Sequence, residues 1–501
     1  MNLIFLTANI KSVGIVKRQG IYNSFITYVG ILIGFISLLI IQPRFLTKEE
    51  IGLTRILLSF SFLVATFMPL GINSITLKYF PLFRDKDKKH YGFFGFIILF
   101  PLIGFIILGS VMWFLKDVIV KSYSVQSGLF TEYFSYVFPL TFILALVSVL
   151  NSYCYSLFKS SFPSLINDVV IRILSIILFY VYHCKVISLD QFVLLFVSIY
   201  GFQLFILFIY IYLIDKPSLK VDAVFLKDKE PVSMLRYGML LSFAALSSLG
   251  LKYLDVVMLG QYVPLAMVGI YSVVVFIPTV IEAPLGAVEK IGVATISQAW
   301  NDGNIEDIRK VYYQSSHYLF LLGGLLFLGI NLNLDSLFKM FPDPEFEMGK
   351  HVVTIVSIGA LVNMASGVND SIIYTSNKYI YGTYILVSLF FIAILNNFLL
   401  IPVFGINGAA LATCISAIVF NFTKLAFIYK LFKLQPFTYN SLKICVIIAA
   451  TYTAIIFLPH LTNHFYDIAF RSFVIIFLYL SFSFLFKLIP NIKQYTGKFR
   501  S

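Results

Sequence analysis

Six charged residues fall inside long apolar runs: Arg55, Arg172, Lys252, Asp255, Glu282 and Asp370. At the centre of a spanning helix a Lys or Arg costs about 2.5–3.5 kcal/mol on insertion scales, so such residues tend to face a partner or a wet cavity. Arg55, Arg172 and Lys252 lining one cavity would attract an anionic head group. A diphosphate suits them, because Arg grips phosphate oxygens bidentately and Lys acts as a point charge. Asp255, Glu282 and Asp370 would then be available to couple a cation or proton. Two simpler readings stand beside this one. Lys252 and Asp255, three apart on one helical face, fit a self-neutralising pair. Arg55 and Asp370 lie near the ends of their runs, where a side chain can snorkel to water.

Other chemistry is poorly represented. There is no Gly-rich nucleotide loop, no acidic pair in a polar loop, and no Ser or Cys set beside a His in a known motif, so the chain does not read as an enzyme. Cys154, Cys184, Cys414 and Cys445 are scattered without CxxC or metal spacing, and no cofactor is expected. His460 and His464 are four apart but lack an evident acidic partner, so no metal site is expected there either.

The elements that must carry the six charges follow from composition. Of 501 residues 59% are apolar and 12% charged, against about 25% charged in soluble chains. At roughly 20 residues per span, about fourteen spans fit. Apolar runs lie near Ile21–Ile41, Leu53–Ile72, Phe93–Leu115, Tyr133–Tyr155, Ile166–Tyr182, Phe192–Ile214 and Met239–Leu259. The second seven lie near Leu265–Val288, Val311–Leu332, Val352–Tyr374, Tyr379–Leu400, Ala409–Leu431, Leu442–Leu458 and Ile468–Leu488. The start of the chain places its apolar stretch before its first Lys, the reverse of a cleavable signal, so the first span is expected to be an uncleaved anchor. The net charge of +13 is distributed between spans and does not point to nucleic acid. With the N-terminus inside, 26 Lys and Arg fall on the inner side and 8 on the outer, which places both termini in the cytoplasm.

An internal repeat organises these spans. Arg18-Gln-Gly20-Ile-Tyr-Asn-Ser24-Phe25 is echoed by Arg236-Tyr-Gly238-Met-Leu-Leu-Ser242-Phe243, 218 residues on. Ser148 and Asn151 match Ser366 and Asn369 at the same offset. With a small shift, Gly52 answers Gly269 and Pro69-Leu70-Gly71 answers Pro284-Leu285-Gly286. Six spans therefore repeat as six more with the same orientation, as in several transporter folds. The expected divisions are a lobe over 1–214, a linker over 215–235, a second lobe over 236–434, and an appended pair of spans with a cytoplasmic tail over 435–501.

The run Leu400-Ile-Pro402-Val-Phe-Gly405-Ile-Asn407-Gly408-Ala409-Ala410-Leu-Ala412-Thr413 resembles the Pro…Gly-x-Asn-Gly-Ala-Ala signature of Wzx-type polysaccharide-biosynthesis flippases. Lys252-Tyr-Leu-Asp255-Val-Val-Met-Leu-Gly260, with Val268-Gly269-Ile270-Tyr271, is similar to their seventh and eighth spans, and Phe45 to Gly52 echoes it. Their superfamily, the multidrug/oligosaccharidyl-lipid/polysaccharide exporters, implies an all-α fold with two six-helix lobes in a V around a central cavity, often with an appended helix pair.

The function so implied is alternating-access transfer of a polyprenyl-diphosphate-linked oligosaccharide, such as an O-antigen, lipopolysaccharide or capsule unit, across a bacterial inner membrane. The polyprenyl tail would stay in the bilayer, and the polymerase and glycosyltransferases of the pathway would be partners. An ion-coupled multidrug antiporter of the same superfamily is the alternative, though its cavity should be dominated by acids. A polysaccharide polymerase or ligase fits less well, because the external segments are short.

Overall fold

The computed structural model describes residues 22, 23, 25–222 and 231–488, and all regular structure among them is helical. The first spanning helix, α1, runs Phe25–Phe45. It is followed by α2 (Lys48–Phe67), α3 (Ile72–Phe83), α4 (Phe93–Phe114), the short α5 (Lys116–Tyr123) and α6 (Gly128–Glu132), and α7 (Val137–Ser156). Next come α8 (Ser161–His183), α9 (Leu189–Asp215), α10 (Pro231–Tyr262) and α11 (Leu265–Val274). The remainder is α12 (Thr279–Asn301), α13 (Ile305–Asn331), α14 (Leu334–Phe338), α15 (Lys350–Ser366), α16 (Asn369–Thr375), α17 (Tyr379–Phe432), α18 (Tyr439–Ile456) and α19 (His464–Leu485).

Polar residues start these helices where the sequence turns apolar. Thr47 and Glu50 form a reciprocal capping box at α2, Ser188 and Gln191 one at α9, and Thr438 and Ser441 one at α18, each satisfying backbone N–H groups that hydrocarbon would leave bare. Among the described residues eleven helices are long and apolar enough to cross a membrane, or twelve if α11 and α12 together make one span. The helix α13 is not among them: it opens on Glu306, Asp307, Arg309 and Lys310, and the polar run Gln314-Ser-Ser-His317 lowers the hydropathy of the rest.

The longest helix conceals a reversal. A straight helix of 54 residues would be about 81 Å long, yet the rings of Tyr381 and Phe427 lie 5.6 Å apart. Asn396 also donates to Ser416 Oγ at 3.1 Å. The chain turns back at Gly405, whose φ of 57° and ψ of −131° are closed to ordinary L-residues, three residues after Pro402. The Pro402…Gly405-x-Asn407-Gly408 signature is thus the elbow of a helical hairpin.

Packing divides the chain into two compact units, Met1–Ser272 and Val273–Ser501. The sequence reading divided it at 215–235; in the structure α10 instead packs along α2 and α3 in the first unit. Glycines permit this. A Cβ at Gly71 would stand 1.9 Å from the Gly238 carbonyl oxygen, and one at Gly260 would stand 2.5 Å from Ile56 and 2.9 Å from Tyr123.

Part of the expected linker is also docked on the first unit. The Asp222 N–H donates to the Tyr91 carbonyl at 3.0 Å, and Gly92 and Gly95 leave room for the carbonyls of Lys220 and Leu219. Asp215 accepts from His90 Nε2 at 2.9 Å and from the Tyr153 hydroxyl at 2.5 Å. The Asp85 N–H donates to His90 Nδ1 at 3.0 Å, which assigns the ring proton to Nε2. Linker residues 223–230, together with residues 1–21, 24 and 489–501, lie outside the described residues, and so do Arg18, Gly20 and Ser24 of the repeat.

In the second unit α18 and α19 are fastened to α13 and α14. The Tyr479 hydroxyl donates to the Leu321 carbonyl at 2.8 Å beside Gly324. Asp467, fully buried, accepts from Ser336 Oγ at 2.6 Å and from Arg471 Nε at 3.2 Å. Arg471 also donates to the Leu458 carbonyl at 2.6 Å. Arg471, one of the eight Lys and Arg placed on the outer side by the charge count, is therefore a buried tether.

Candidate functional site

Three of the six intramembrane charges are gathered in the first unit, on three helices. Arg55 belongs to α2, Arg172 to α8 and Lys252 to α10. Arg55 and Lys252 each feel the positive charge of Arg172, and Lys252 also feels that of Arg55. The further electrostatic partners of Arg55 are the phenols of Tyr200 and Tyr253. Like charges repel most strongly where water is scarce, so such a cluster favours an anion beside it, and Asp168 is one such acid, coupled to Arg172.

Each cation is held differently. Arg55 Nη2 donates to Gln42 Oε1 at 3.1 Å, while its buried Nε has no hydrogen-bond partner among the described residues. Arg172 Nη1 donates to the Gly30 carbonyl at 2.6 Å. Lys252 stays exposed, with its ammonium 5.6 Å from the centre of the Tyr253 ring. Tyr253 in turn stacks on Phe62, the centroids 5.0 Å apart and the planes at 4°.

The position of Arg172 follows from how α1 meets α8. Asn23 donates to Ser160 at 2.6 Å, Gly30 abuts Asp168, Gly34 abuts Arg172, and the Phe45 ring lies 4.8 Å from that of His183. These partners keep a nearly constant separation in sequence, so the two helices run parallel and in register. Gly30 and Gly34 form a G-x-x-x-G step, which lets two spanning helices approach closely. Both helices contain a π-helical turn near the contact, Ser37–Ile41 in α1 and Ile166–Val170 in α8. Such turns shift the register of the following side chains and recur at functional sites. Asp168 lies in the second of them and is the acid electrostatically coupled to Arg172.

Asp255 is also in the first unit, but the Tyr271 hydroxyl donates to its Oδ2 at 2.8 Å while Lys252 faces Tyr253. Glu282 and Asp370 are in the second unit, the first in a chain of amide hydrogen bonds and the second in an ion pair. Asn363 donates to Glu282, and Asn421 donates to Asn363. Asn369 donates to Asn421 Oδ1 at 3.1 Å. Lys424, 4% exposed, pairs with Asp370 at 3.0 Å and lies 3.9 Å over the Phe420 ring. Glu289 feels the charges of Asp370, Lys424 and Glu282.

The sequence reading missed several of these groups. Asp168 stands four residues before Arg172 in the same apolar run, a spacing that could have signalled it. Lys424, inside the run Ala409–Leu431, was not among the six charges read as intramembrane. Gln42, Tyr200, Tyr253 and the two Asn bridges carry no formal charge and so gave no signal. At His460 the expectation of no acidic neighbour is corrected: its Nδ1 lies 3.1 Å from Asp467 and its Nε2 4.0 Å from Asp335. Among the described residues no group of three or more His, Cys, Asp or Glu is placed to hold a metal ion.

No family model matches the chain. An uncharacterised membrane protein of Methanocaldococcus jannaschii, MJ1068, is 24% identical over 418 residues, covering 77% of this chain and 79% of that one. Among solved structures, the lipid II flippase MurJ in an inward closed conformation superposes with a TM-score of 0.72 at 13% identity, covering 93% of this chain and 98% of that one. An inward-facing multidrug resistance MATE family transporter of the MOP superfamily gives 0.61 at 13% identity, covering 83% and 94%. The MATE multidrug transporter DinF-BH gives 0.53 at 14% identity, covering 84% and 97%. The chain thus shares its fold with these solved membrane proteins, which are transporters and a flippase rather than enzymes.

Proposed function

We propose that the protein is a flippase that carries a polyprenyl-diphosphate-linked oligosaccharide, an O-antigen, capsule or related unit, from the cytoplasmic to the outer leaflet of a bacterial inner membrane. The observation that carries this reading is the convergence of Arg55, Arg172 and Lys252 in the first unit, where the charges acting on Lys252 are those of the two arginines. A diphosphate fits such a cluster, with Arg172 and Arg55 offering paired N–H donors and Lys252 a mobile point charge. The likeness in fold to a lipid II flippase over 93% of the chain supports a lipid-linked substrate.

In this reading the chain has fourteen spans, counting α13 and both limbs of α17, arranged as two six-helix lobes in a V with α18 and α19 appended. Both termini are cytoplasmic, on the strength of the Lys and Arg distribution. The tail lies in lipid, and an apolar groove of about 340 Å³ lined by Phe320, Phe327, Leu361, Ile448 and Tyr452 offers it a track beside α18. Glu282, Asp370 and Glu289 are the groups through which a cation or proton drives the cycle, with Asp255 in a charge-pairing role. The polymerase and glycosyltransferases of the pathway are its working partners.

The test is flipping of a fluorescent polyprenyl-diphosphate oligosaccharide in proteoliposomes, comparing the native chain with Arg172→Ala and Lys252→Ala. Transport by the native chain, and its loss in variants that still elute as folded protein, is the expected result. The acidic network of the second unit favours one other reading, a multidrug antiporter. Failure to flip the lipid combined with export of a cationic dye would put that reading in its place.

A further inference from the structure

The two limbs of α17, folded back on each other at Gly405, enclose a groove of about 230 Å³ within the second unit. Its walls come from Tyr381, Ile385 and Ser388 on one limb and from Phe427, Thr423 and Phe420 on the other. The rings of Tyr381 and Phe427 meet at 5.6 Å, so the antiparallel register sets these pairs roughly level with one another. The groove is apolar along its length, and the Thr423 hydroxyl is committed to the Val419 carbonyl of its own helix at 2.7 Å.

The length of the groove limits what can fill it. From Tyr381 to Ile392 the wall rises about 17 Å at 1.5 Å per residue. That is close to the depth of one leaflet, half of a hydrocarbon core about 30 Å thick. An acyl chain of a bilayer phospholipid fits such a groove end to end, whereas the polyprenyl tail proposed for the substrate outruns it.

The charge at the mouth says which phospholipid. Lys378 stands three residues before Tyr381 and Lys430 three after Phe427, so the same register carries on to set the two lysines on opposite sides of the opening. Both are exposed, and neither has a carboxylate partner among the described residues. From 371 to 466 the chain holds five lysines and no Asp or Glu. Of the five, Lys424 is paired with Asp370 and lies over the Phe420 ring, while Lys433 and Lys443 lie over Tyr429 and Tyr439. An apolar slot one leaflet deep, ending in lysines without acids, is complementary to an anionic amphiphile. Tyr381 and Tyr384 are placed at the level where aromatic rings meet head groups.

We propose that the groove of α17 binds one anionic phospholipid of the cytoplasmic leaflet, with an acyl chain between the two limbs and the phosphate between Lys378 and Lys430. The site is independent of what the protein carries. It draws on the cytoplasmic orientation argued above only for the leaflet that supplies the lipid.

Fluorescence quenching in vesicles tests this on the full chain. With Trp113→Phe and Trp300→Phe, the reporter is a single Ser388→Trp in the groove, or Thr423→Trp on the facing wall. The vesicles are phosphatidylcholine with a rising fraction of phospholipid brominated on its acyl chains, either phosphatidylglycerol or phosphatidylcholine. Brominated phosphatidylglycerol is expected to quench the reporter at a lower fraction than brominated phosphatidylcholine, each lysine contributing about fivefold. High salt should shrink that preference. Lys378→Gln with Lys430→Gln should abolish it and leave quenching by phosphatidylcholine unchanged. Equal quenching by the two lipids would overturn the proposal, because the groove would then be ordinary lipid-facing surface. A preference that survives loss of both lysines would overturn it too, as would the absence of quenching by either lipid, which would mean that protein covers the groove. None of these readouts involves flipping, so a wrong substrate assignment would show in the proteoliposome assay and leave this pattern intact.

Discussion

Arg172 and Gly34 are fitted to one another: a single carbon added to Gly34 would stand 1.7 Å from Arg172 Nη1, in the space the guanidinium uses to reach the Gly30 carbonyl. Gly34→Ala should therefore expel the guanidinium from its seat. Forcing a methyl group into a filled site costs about 1–3 kcal/mol, so the variant should fold with a lower melting temperature. Its transport should fall nearly as far as that of Arg172→Ala in the proteoliposome assay. Full transport by Gly34→Ala would show that the seat is irrelevant to the cycle.

Arg and Lys are not interchangeable in this cluster. Arg172 is held by one N–H while others remain to grip a second oxygen, so Arg172→Lys should weaken substrate binding even though charge is kept. The loss of a charge-assisted hydrogen bond, about 1.5–3 kcal/mol, corresponds to a rise in apparent KM of roughly ten- to a hundredfold. Lys252→Arg should be milder, because Lys252 acts as an exposed point charge. Transport titrated against lipid concentration separates the two.

The pair of Lys424 with Asp370 can be tested by its asymmetry. Lys424 is buried while Asp370 is half-exposed, so removing the carboxylate leaves a buried ammonium without its charge partner, whereas replacing both with apolar groups of similar size is often near neutral. Asp370→Asn should lower thermal stability in detergent, and Asp370→Leu with Lys424→Met should recover most of it. If the double variant is stable yet fails to transport, the pair serves the cycle as well as the fold.

Asp467 makes the same argument for the appended helices. It receives Ser336, Arg471 and the Leu461 N–H at full burial, and the short loop before α19 turns around it. Its carboxyl is engaged by donors from three segments, so Asp467→Asn should free α18 and α19 from the rest of the second unit. Limited proteolysis should then cut near residue 460, where the native chain resists. Unchanged cleavage would mean that Tyr479 and its apolar neighbours hold the pair unaided.

Much of this protein was legible without coordinates. Apolar runs of bilayer length between polar breaks determined helices, because hydrocarbon leaves the backbone no other way to satisfy its polar groups except a closed barrel. The repeat was also legible, since Gly, Pro, Ser and Asn matches in one order are informative where Phe and Leu matches are not. The cost of burying charge singled out Arg55, Arg172 and Lys252 as a group.

Only the tertiary structure decided which charges meet. It gathered those three cations on α2, α8 and α10, set Glu282 against Asn363 and Asp370 against Lys424, and gave Asp255 the hydroxyl of Tyr271. The facing of a side chain depends on register between helices far apart in sequence, and here that register is set by glycine contacts and by two π-turns, neither of which has a sequence signature of its own. The same reason explains the division of the chain. A polar linker is visible in sequence at 215–235, but packing assigned α10 to the first unit because Gly71, Gly238 and Gly260 let it approach α2 and α3 more closely than any side chain would allow.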